Sequence, residues 1–179
     1  MLNIANNARI TMWLCSRGTA KTWEGAIWLA SGASLYNDMQ CCVYAKDFNY
    51  TKATFQKLEK IYDNSPFLRS ITYGPPKISK EKAELKFKNG SVIKAEPFKR
   101  GRRWHRILLD EAREIDLSDF STIILPMLSD PHPVALNRLL LASSKTYVGE
   151  PLYKLYLDFV ECIKKGDKDY GIAEYDIYD

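Results

Sequence analysis

Apolar positions in this chain fall in short runs whose spacing alternates between two periods. Ile10-Thr11-Met12-Trp13-Leu14 is a β-prone run, and Trp23 to Leu35 then mixes alanine with large apolar residues as a largely buried helix does. Gln40 to Ala45 predicts a second buried strand, and Thr51 to Tyr62 sets Phe55, Leu58, Ile61 and Tyr62 on one helical face. Asn64-Ser65-Pro66 ends that helix, and the stretch up to Lys82, with Gly74-Pro75-Pro76, has no clear period. Leu85 and Phe87 alternate with Lys86 and Lys88, and Asn89-Gly90 separates them from Ser91 to Ala95, which predicts a β-hairpin. Ile107-Leu108-Leu109 and Arg138 to Ala142 are further buried strands. Between them Ser118 to Leu128 predicts a helix up to Pro126, followed by a rigid turn at Asp130-Pro131-His132-Pro133. Beyond Pro151, residues Leu152, Leu155, Tyr156, Phe159, Val160 and Ile163 form the clearest amphipathic helix of the chain.

Strands alternating with helices predict an α/β fold around a mostly parallel sheet. A length of 179 residues with 46% hydrophobic and 27% charged residues suits one domain with its own core, and neither a repeat nor a linker divides it, so residues 1–179 are expected to form a single unit. No apolar stretch approaches the roughly 18 to 20 residues that cross a bilayer, and no basic segment precedes a long apolar one at the N-terminus. The chain therefore reads as cytosolic. Four cysteines, at positions 15, 41, 42 and 162, include no C-x-x-C pair and read as reduced structural thiols. The net charge of +4 says little about a polyanionic partner; local clusters say more.

Two segments carry chemistry. Cys15-Ser16-Arg17-Gly18-Thr19-Ala20-Lys21-Thr22 joins the first strand to the first long helix, as a phosphate-binding loop does. Such a loop works through backbone N–H groups at a helix N-terminus, a lysine that balances phosphate charge, and a hydroxyl that completes a magnesium shell. Lys21 and Thr22 fit the last two roles. Cys15 and Ala20 stand where glycine is usual; Gly18 restores some freedom, and Ala20 adds one methyl at a helix start where a negative φ is expected. As isolated residues the same segment is also a surface turn opening a helix. The second segment is Asp110-Glu111 at the end of Ile107-Leu108-Leu109, on the sheet edge where open α/β folds bind ligands. Asp110 suits magnesium and Glu111 the attacking water of phosphoryl transfer. The bland alternative is a pair capping the next helix. Lys99 to Arg106 holds five formal positive charges and no acid, which fits an arginine finger, a nucleic-acid backbone contact, or a solvated face. Ser143-Ser144 ends a later strand, either as a sensor of the γ-phosphate or as a simple turn.

In order, S-R-G-T-A-K-T-W, F-K-R-G-R-R-W-H-R-I-L-L-D-E-A and N-R-L-L-L-A-S-S-K-T resemble the ATPase domain of tailed-bacteriophage large terminase subunits over approximately residues 9 to 160. The resemblance implies a RecA-like (ASCE) P-loop NTPase that binds ATP and Mg2+ and hydrolyses ATP to drive double-stranded DNA into a preformed capsid. On that reading Cys15 to Thr22 hold the nucleotide, Thr22 and Asp110 the metal, Glu111 activates water, and Ser143 and Ser144 form the coupling motif. Arg100 is the first choice for a finger acting on a neighbouring subunit, and Arg17 the alternative in cis. The implied partners are duplex DNA, a portal protein, a small terminase subunit and further copies in a ring on the procapsid, in the host cytoplasm and without a membrane.

Two departures accompany the resemblance. Only 14 residues precede Cys15, where large terminases usually have more sequence helping to hold adenine, and the chain ends soon after its amphipathic helix, so no RNase H-like nuclease domain is expected in it. The competing readings are a helicase-like nucleic-acid-dependent ATPase, which needs a second motor domain, and a P-loop binding or assembly module without turnover.

Overall fold

In the computed structural model, which describes residues 1–95 and 101–175, a sheet of eight strands is flanked by helices on both faces. The elements are α1 (Leu2–Asn7), β1 (Ile10–Cys15), α2 (Lys21–Leu35), β2 (Gln40–Tyr44), α3 (Phe48–Asn64), α4 (Pro66–Ile71), β3 (Lys77–Ile78), β4 (Ala83–Lys86), β5 (Val92–Ala95), β6 (Arg106–Asp110), α5 (Leu117–Asp119), α6 (Leu125–Met127), β7 (Arg138–Ser143), α7 (Pro151–Lys164) and β8 (Tyr170–Tyr175). The strand order is β3-β4-β5-β2-β6-β7-β1-β8, parallel from β5 to β8 and antiparallel at the β3-β4-β5 end. This is the RecA-like P-loop architecture expected from the sequence. The two motif strands, β1 and β6, are not neighbours, because β7 lies between them.

Side-chain parity divides the core. Trp13, Cys41, Val43, Leu108, Leu140 and Ala142 face α2 and α3, whereas Met12, Leu14, Cys42, Tyr44, Ile107, Leu109 and Leu141 face α7 and the segment around Phe120 to Leu128. Adjacent residues on a strand point to opposite faces, so Cys41 and Cys42 sit in different halves of the core. All four cysteines are free thiols, as expected.

Two glycines let α2 approach β6 closely. A Cβ on Gly25 would stand 2.9 Å from Leu108 Cδ2, and one on Gly32 would stand 2.5 Å from the Arg106 guanidinium. Arg106 is therefore not part of an exposed basic face. It is buried, donates to the Trp28 carbonyl at 2.6 Å and lies 4.9 Å from the centre of the Trp28 ring. Trp104, in the same basic stretch, is also buried and donates Nε1–H to the Tyr44 hydroxyl at 3.0 Å.

Other elements refine the expectations. The hairpin forms as β4 and β5, with Gly90 at φ +85 in its turn. α3 begins earlier than expected, at Phe48, where Asp47 accepts the Asn49 N–H. Ser65-Pro66 both ends α3 and starts α4: the Ser65 hydroxyl accepts the Leu68 N–H at 3.1 Å, and proline suits the first helical turn. The Ser118 to Leu128 helix contains a π-helical turn, Phe120–Ile124, immediately before the short α6 that includes Pro126. Proline has no N–H to continue an α-helical ladder, and the Leu125 N–H bonds to the Phe120 carbonyl instead. α1 and β8, neither expected from the pattern, close the β1 side of the sheet.

Candidate nucleotide site

β1 and β6 run in the same direction, so their carboxyl ends deliver the Cys15 to Thr22 loop and Asp110-Glu111 to one edge of the sheet. Within the loop, Lys21 is buried, and its ammonium donates to the carbonyls of Cys15 at 3.0 Å and Ser16 at 3.1 Å. The Thr19 hydroxyl donates to the Ser16 carbonyl at 2.8 Å. Gly18, at φ +89, supplies one left-handed position. Ala20 supplies another, at φ +63, which corrects the expected negative φ at the helix start. The methyl there sits in a conformation that costs an L-residue roughly 1 kcal/mol or more. The loop thus keeps the backbone shape for which glycine is usual while lacking the glycine. Thr22 lies one residue inside α2 and is half-buried, and Arg17 is exposed on the loop.

Asp110 is the electrostatic centre of the edge. It is buried, and its carboxylate accepts the Thr54 hydroxyl at 3.2 Å and the Glu111 N–H at 3.1 Å. Burial first, and then the neighbouring Glu111 charge, push its pKa up to about 6, although Lys21 is near enough for its charge to pull the other way. Lys21 and Asp110, 89 positions apart, are thereby brought within electrostatic reach of each other. Glu111 itself sits at φ +50, which turns the chain sharply off β6 into a short 3-10 turn, and its side chain makes no cap to that turn. The simple capping reading of the Asp-Glu pair therefore has no hydrogen bond behind it.

Ser143 ends β7 and is fully buried; its hydroxyl accepts the Arg113 N–H at 3.3 Å. It therefore touches the turn that follows Glu111. Ser144, one residue later, lies beyond the strand. Arg100 lies outside the described residues. Of the remaining basic stretch, Arg102 and Arg103 are exposed while Arg106 is at the opposite end of the sheet.

Thr54 is the site residue that sequence reasoning missed. Its signal was present: Thr51, Thr54, Phe55 and Leu58 follow helical spacing and are all buried, so a hydroxyl occupies a core position of α3. What it faces follows only from the packing of α3 against the sheet.

The donors suit a hard cation. Among the described residues no group of three or more His, Cys, Asp or Glu converges on a metal position, so one carboxylate and one hydroxyl are what Asp110 and Thr22 offer. Magnesium is commonly held by one or two carboxylates, with phosphates and water completing its shell.

An eight-stranded α/β sheet with a Lys-Thr loop after one strand and an Asp-Glu pair after another places the chain in the P-loop class of folds. No family model and no curated protein matches the sequence. Solved structures do match. The large terminase of bacteriophage HK97 superimposes with a TM-score of 0.69 at 16% identity over 96% of this chain and 36% of that one. The large terminase ATPase domain of Thermus phage P74-26 gives 0.67 at 14% identity, over 94% of this chain and 76% of that one. A large terminase from a thermophilic bacteriophage, solved with ATP-gamma-S, gives 0.64 at 11% identity, covering 96% and 40%. The terminase resemblance read from the sequence is met at the level of the fold, and the chain spans about a third of the length of the HK97 protein.

Proposed function

We propose that this chain is a magnesium-dependent ATPase motor domain that moves double-stranded DNA into a preformed capsid. The observation that carries the reading is the convergence, at one sheet edge, of the Lys21 loop, the buried Asp110 and Glu111, with Ser143 bonded to the turn behind Glu111. Lys21 would exchange the Cys15 and Ser16 carbonyls for phosphate oxygens, and Thr22 and Asp110 would hold Mg2+, which supplies charge neutralisation on the phosphates. Glu111, on its sharply turned backbone, would orient and deprotonate the attacking water. Ser143 would pass the loss of the γ-phosphate to the strand behind it through the Arg113 N–H, with Ser144 alongside. Arg100 would be the finger in trans within a ring of copies, and Arg17, exposed on the loop, the alternative in cis.

That similar folds belong to terminases solved with ATP-gamma-S and with ADP supports the nucleotide. A portal protein and a small terminase subunit are the partners such a motor requires. Among the described residues no helix is long and apolar enough to cross a membrane. The procapsid in the host cytoplasm is the place of action that the motor reading implies.

The direct test is ATP binding and turnover. Lys21→Ala should lower ATP affinity at least tenfold, and Glu111→Ala should leave affinity intact while cutting turnover by on the order of 10² to 10⁴. Unchanged affinity in Lys21→Ala would remove the phosphate-loop assignment. Binding without any hydrolysis by the wild type in its ring would select the assembly-module reading instead.

A further inference from the structure

The charge of this chain is unevenly placed. Residues 77–95 and 101–103 carry eight lysines and arginines against two glutamates, a net +6, so all other residues together sum to −2. Much of this excess stands on one surface. On the hairpin, Leu85, Phe87 and Ile93 pack into the core shared with α3 and α4. By strand parity Glu84, Lys86 and Lys94 point to the other face, where Lys86 is exposed and Glu84 and Lys94 are half-buried. Lys77, Glu84 and Lys94 are direct cross-strand partners, a row spanning β3, β4 and β5 over about 10 Å.

Beside this row is an open hollow of about 360 Å³ whose polar lining includes Lys77, Ser79, Lys82, Glu84, Lys94 and Arg102. Ser79 fixes its rim: the hydroxyl donates to the Lys82 carbonyl at 2.8 Å and accepts the Lys82 N–H at 3.1 Å. Glu84 is shared between Lys86 at 3.2 Å and Lys94 at 3.7 Å, so one carboxylate answers two cations. Among the described residues, Lys77 and Lys82 enter no ion pair.

Lysines on an edge strand also guard against edge-to-edge pairing. That explains Lys77 on β3. It does not explain Lys94, because β5 is paired on both sides, with β4 and with β2. A lone phosphate would need buried converging donors, whereas these cations are spread along an open surface. Their arrangement suits a rod whose charge recurs about every 1.7 Å of its axis.

We infer that the solvent-facing side of the β3-β4-β5 hairpin, centred on Lys77, Lys82 and Lys94, is a docking surface for the phosphate backbone of duplex DNA. The choice of duplex DNA rests on the motor reading; the cationic surface stands without it. Contacts of this kind position a duplex without reading its sequence.

The test is fluorescence anisotropy with the whole chain and a labelled 30-base-pair duplex of arbitrary sequence, from 50 to 200 mM salt. Lys77→Glu with Lys82→Glu should weaken binding at least tenfold at 50 mM salt and flatten the log–log salt slope by about 2. Lys77→Gln with Lys82→Gln should show a smaller loss in the same direction. A charge-matched control, Lys60→Glu with Lys154→Glu on exposed helix positions, should lose far less. Equal losses in the control, an unchanged slope, or no duplex binding by the wild type would overturn the inference. Tighter binding to a single strand, abolished by Tyr73→Ala at the exposed tyrosine nearby, would overturn it in favour of base stacking. ATP affinity is measured on the same samples. Its retention without duplex binding refutes this surface alone, whereas its absence from the wild type refutes the motor reading.

Discussion

The two ends of the parallel sheet bury polar side chains in different ways. At the amino ends of the strands the partners are main-chain carbonyls: Arg106 reaches Trp28 at 2.6 Å, Arg138 reaches Ala8 at 2.7 Å, and His132 reaches Asn37 at 2.7 Å. Asn137 spans Leu128 at 2.9 Å and Asp130 at 2.6 Å. At the carboxyl ends, Asp110 is buried beside Glu111, and Ala20 and Glu111 hold positive φ angles. The amino-end bonds tie strand, helix and loop together; at the carboxyl end the Lys21 ammonium also rests on carbonyls, those of Cys15 and Ser16, but within reach of the Asp110 charge. A buried carboxylate beside another carboxylate, on strained backbone, is the pattern of a candidate ligand site.

This contrast can be broken by mutation. The largest effect is expected at the amino end, where Arg106→Ala removes the guanidinium bond to the Trp28 carbonyl, which keeps the Ser31 hydroxyl at 2.9 Å, and leaves a void beside Gly32. It should cost about 3 to 5 kcal/mol of folding stability in denaturant titration, while Arg106→Met, which keeps the volume, should cost far less. Parity of the two losses would show that charge, not filling, is what that end requires.

At the carboxyl end the sign reverses. Asp110 has a folded pKa raised from 3.8 to about 6, so ionisation opposes folding. The protonated form's advantage is complete below the unfolded pKa and is lost as pH rises through about 6. Asp110→Asn in nucleotide-free protein should therefore be more stable than wild type by about 2 to 3 kcal/mol at pH 8, with the gap closing below pH 4. A melting series across that range measures it. A destabilised Asp110→Asn at pH 8 would make the residue structural.

Thr54→Val should weaken ATP binding in the presence of magnesium about tenfold, roughly 1.4 kcal/mol, and leave binding in EDTA unchanged, with Thr54→Ser restoring it. Equal losses with and without magnesium would mean that the hydroxyl only supports packing. The smallest effect belongs to Ala20→Gly. Relief of the left-handed alanine outweighs the added freedom of the unfolded chain, for a gain of about 0.5 kcal/mol without loss of ATP affinity. A loss of stability would show that the methyl is packed to advantage.

The strands and α7 were legible because their periodicity reflects one- or two-sided burial, and the hairpin because Asn89-Gly90 demands a particular turn. α1, α4 and β8 were not, since six residues carry too few periods and take their shape from docking. The candidate site was legible where its residues are close in sequence, as in Lys21-Thr22 and Asp110-Glu111. It was hidden where it depends on packing, as with Thr54. Ala20 was misjudged because the loop's backbone shape outlasts the glycine that usually permits it. Arg106 was counted with its charged neighbours although alternation with the buried Leu108 already marked it as an inward position.

The close fit of Gly32 on Arg106 also sets how α2 can move. Sliding the helix along β6 would carry neighbouring backbone past the guanidinium, which a Cβ at position 32 would already approach to 2.5 Å. Its carboxyl half is thus pinned in register on β6, like a shaft keyed at one end. Displacement starting at Lys21 is taken up most easily by residues 16–20 or by twisting of the first turns, because translating the whole helix would require the Arg106 side chain to move with it.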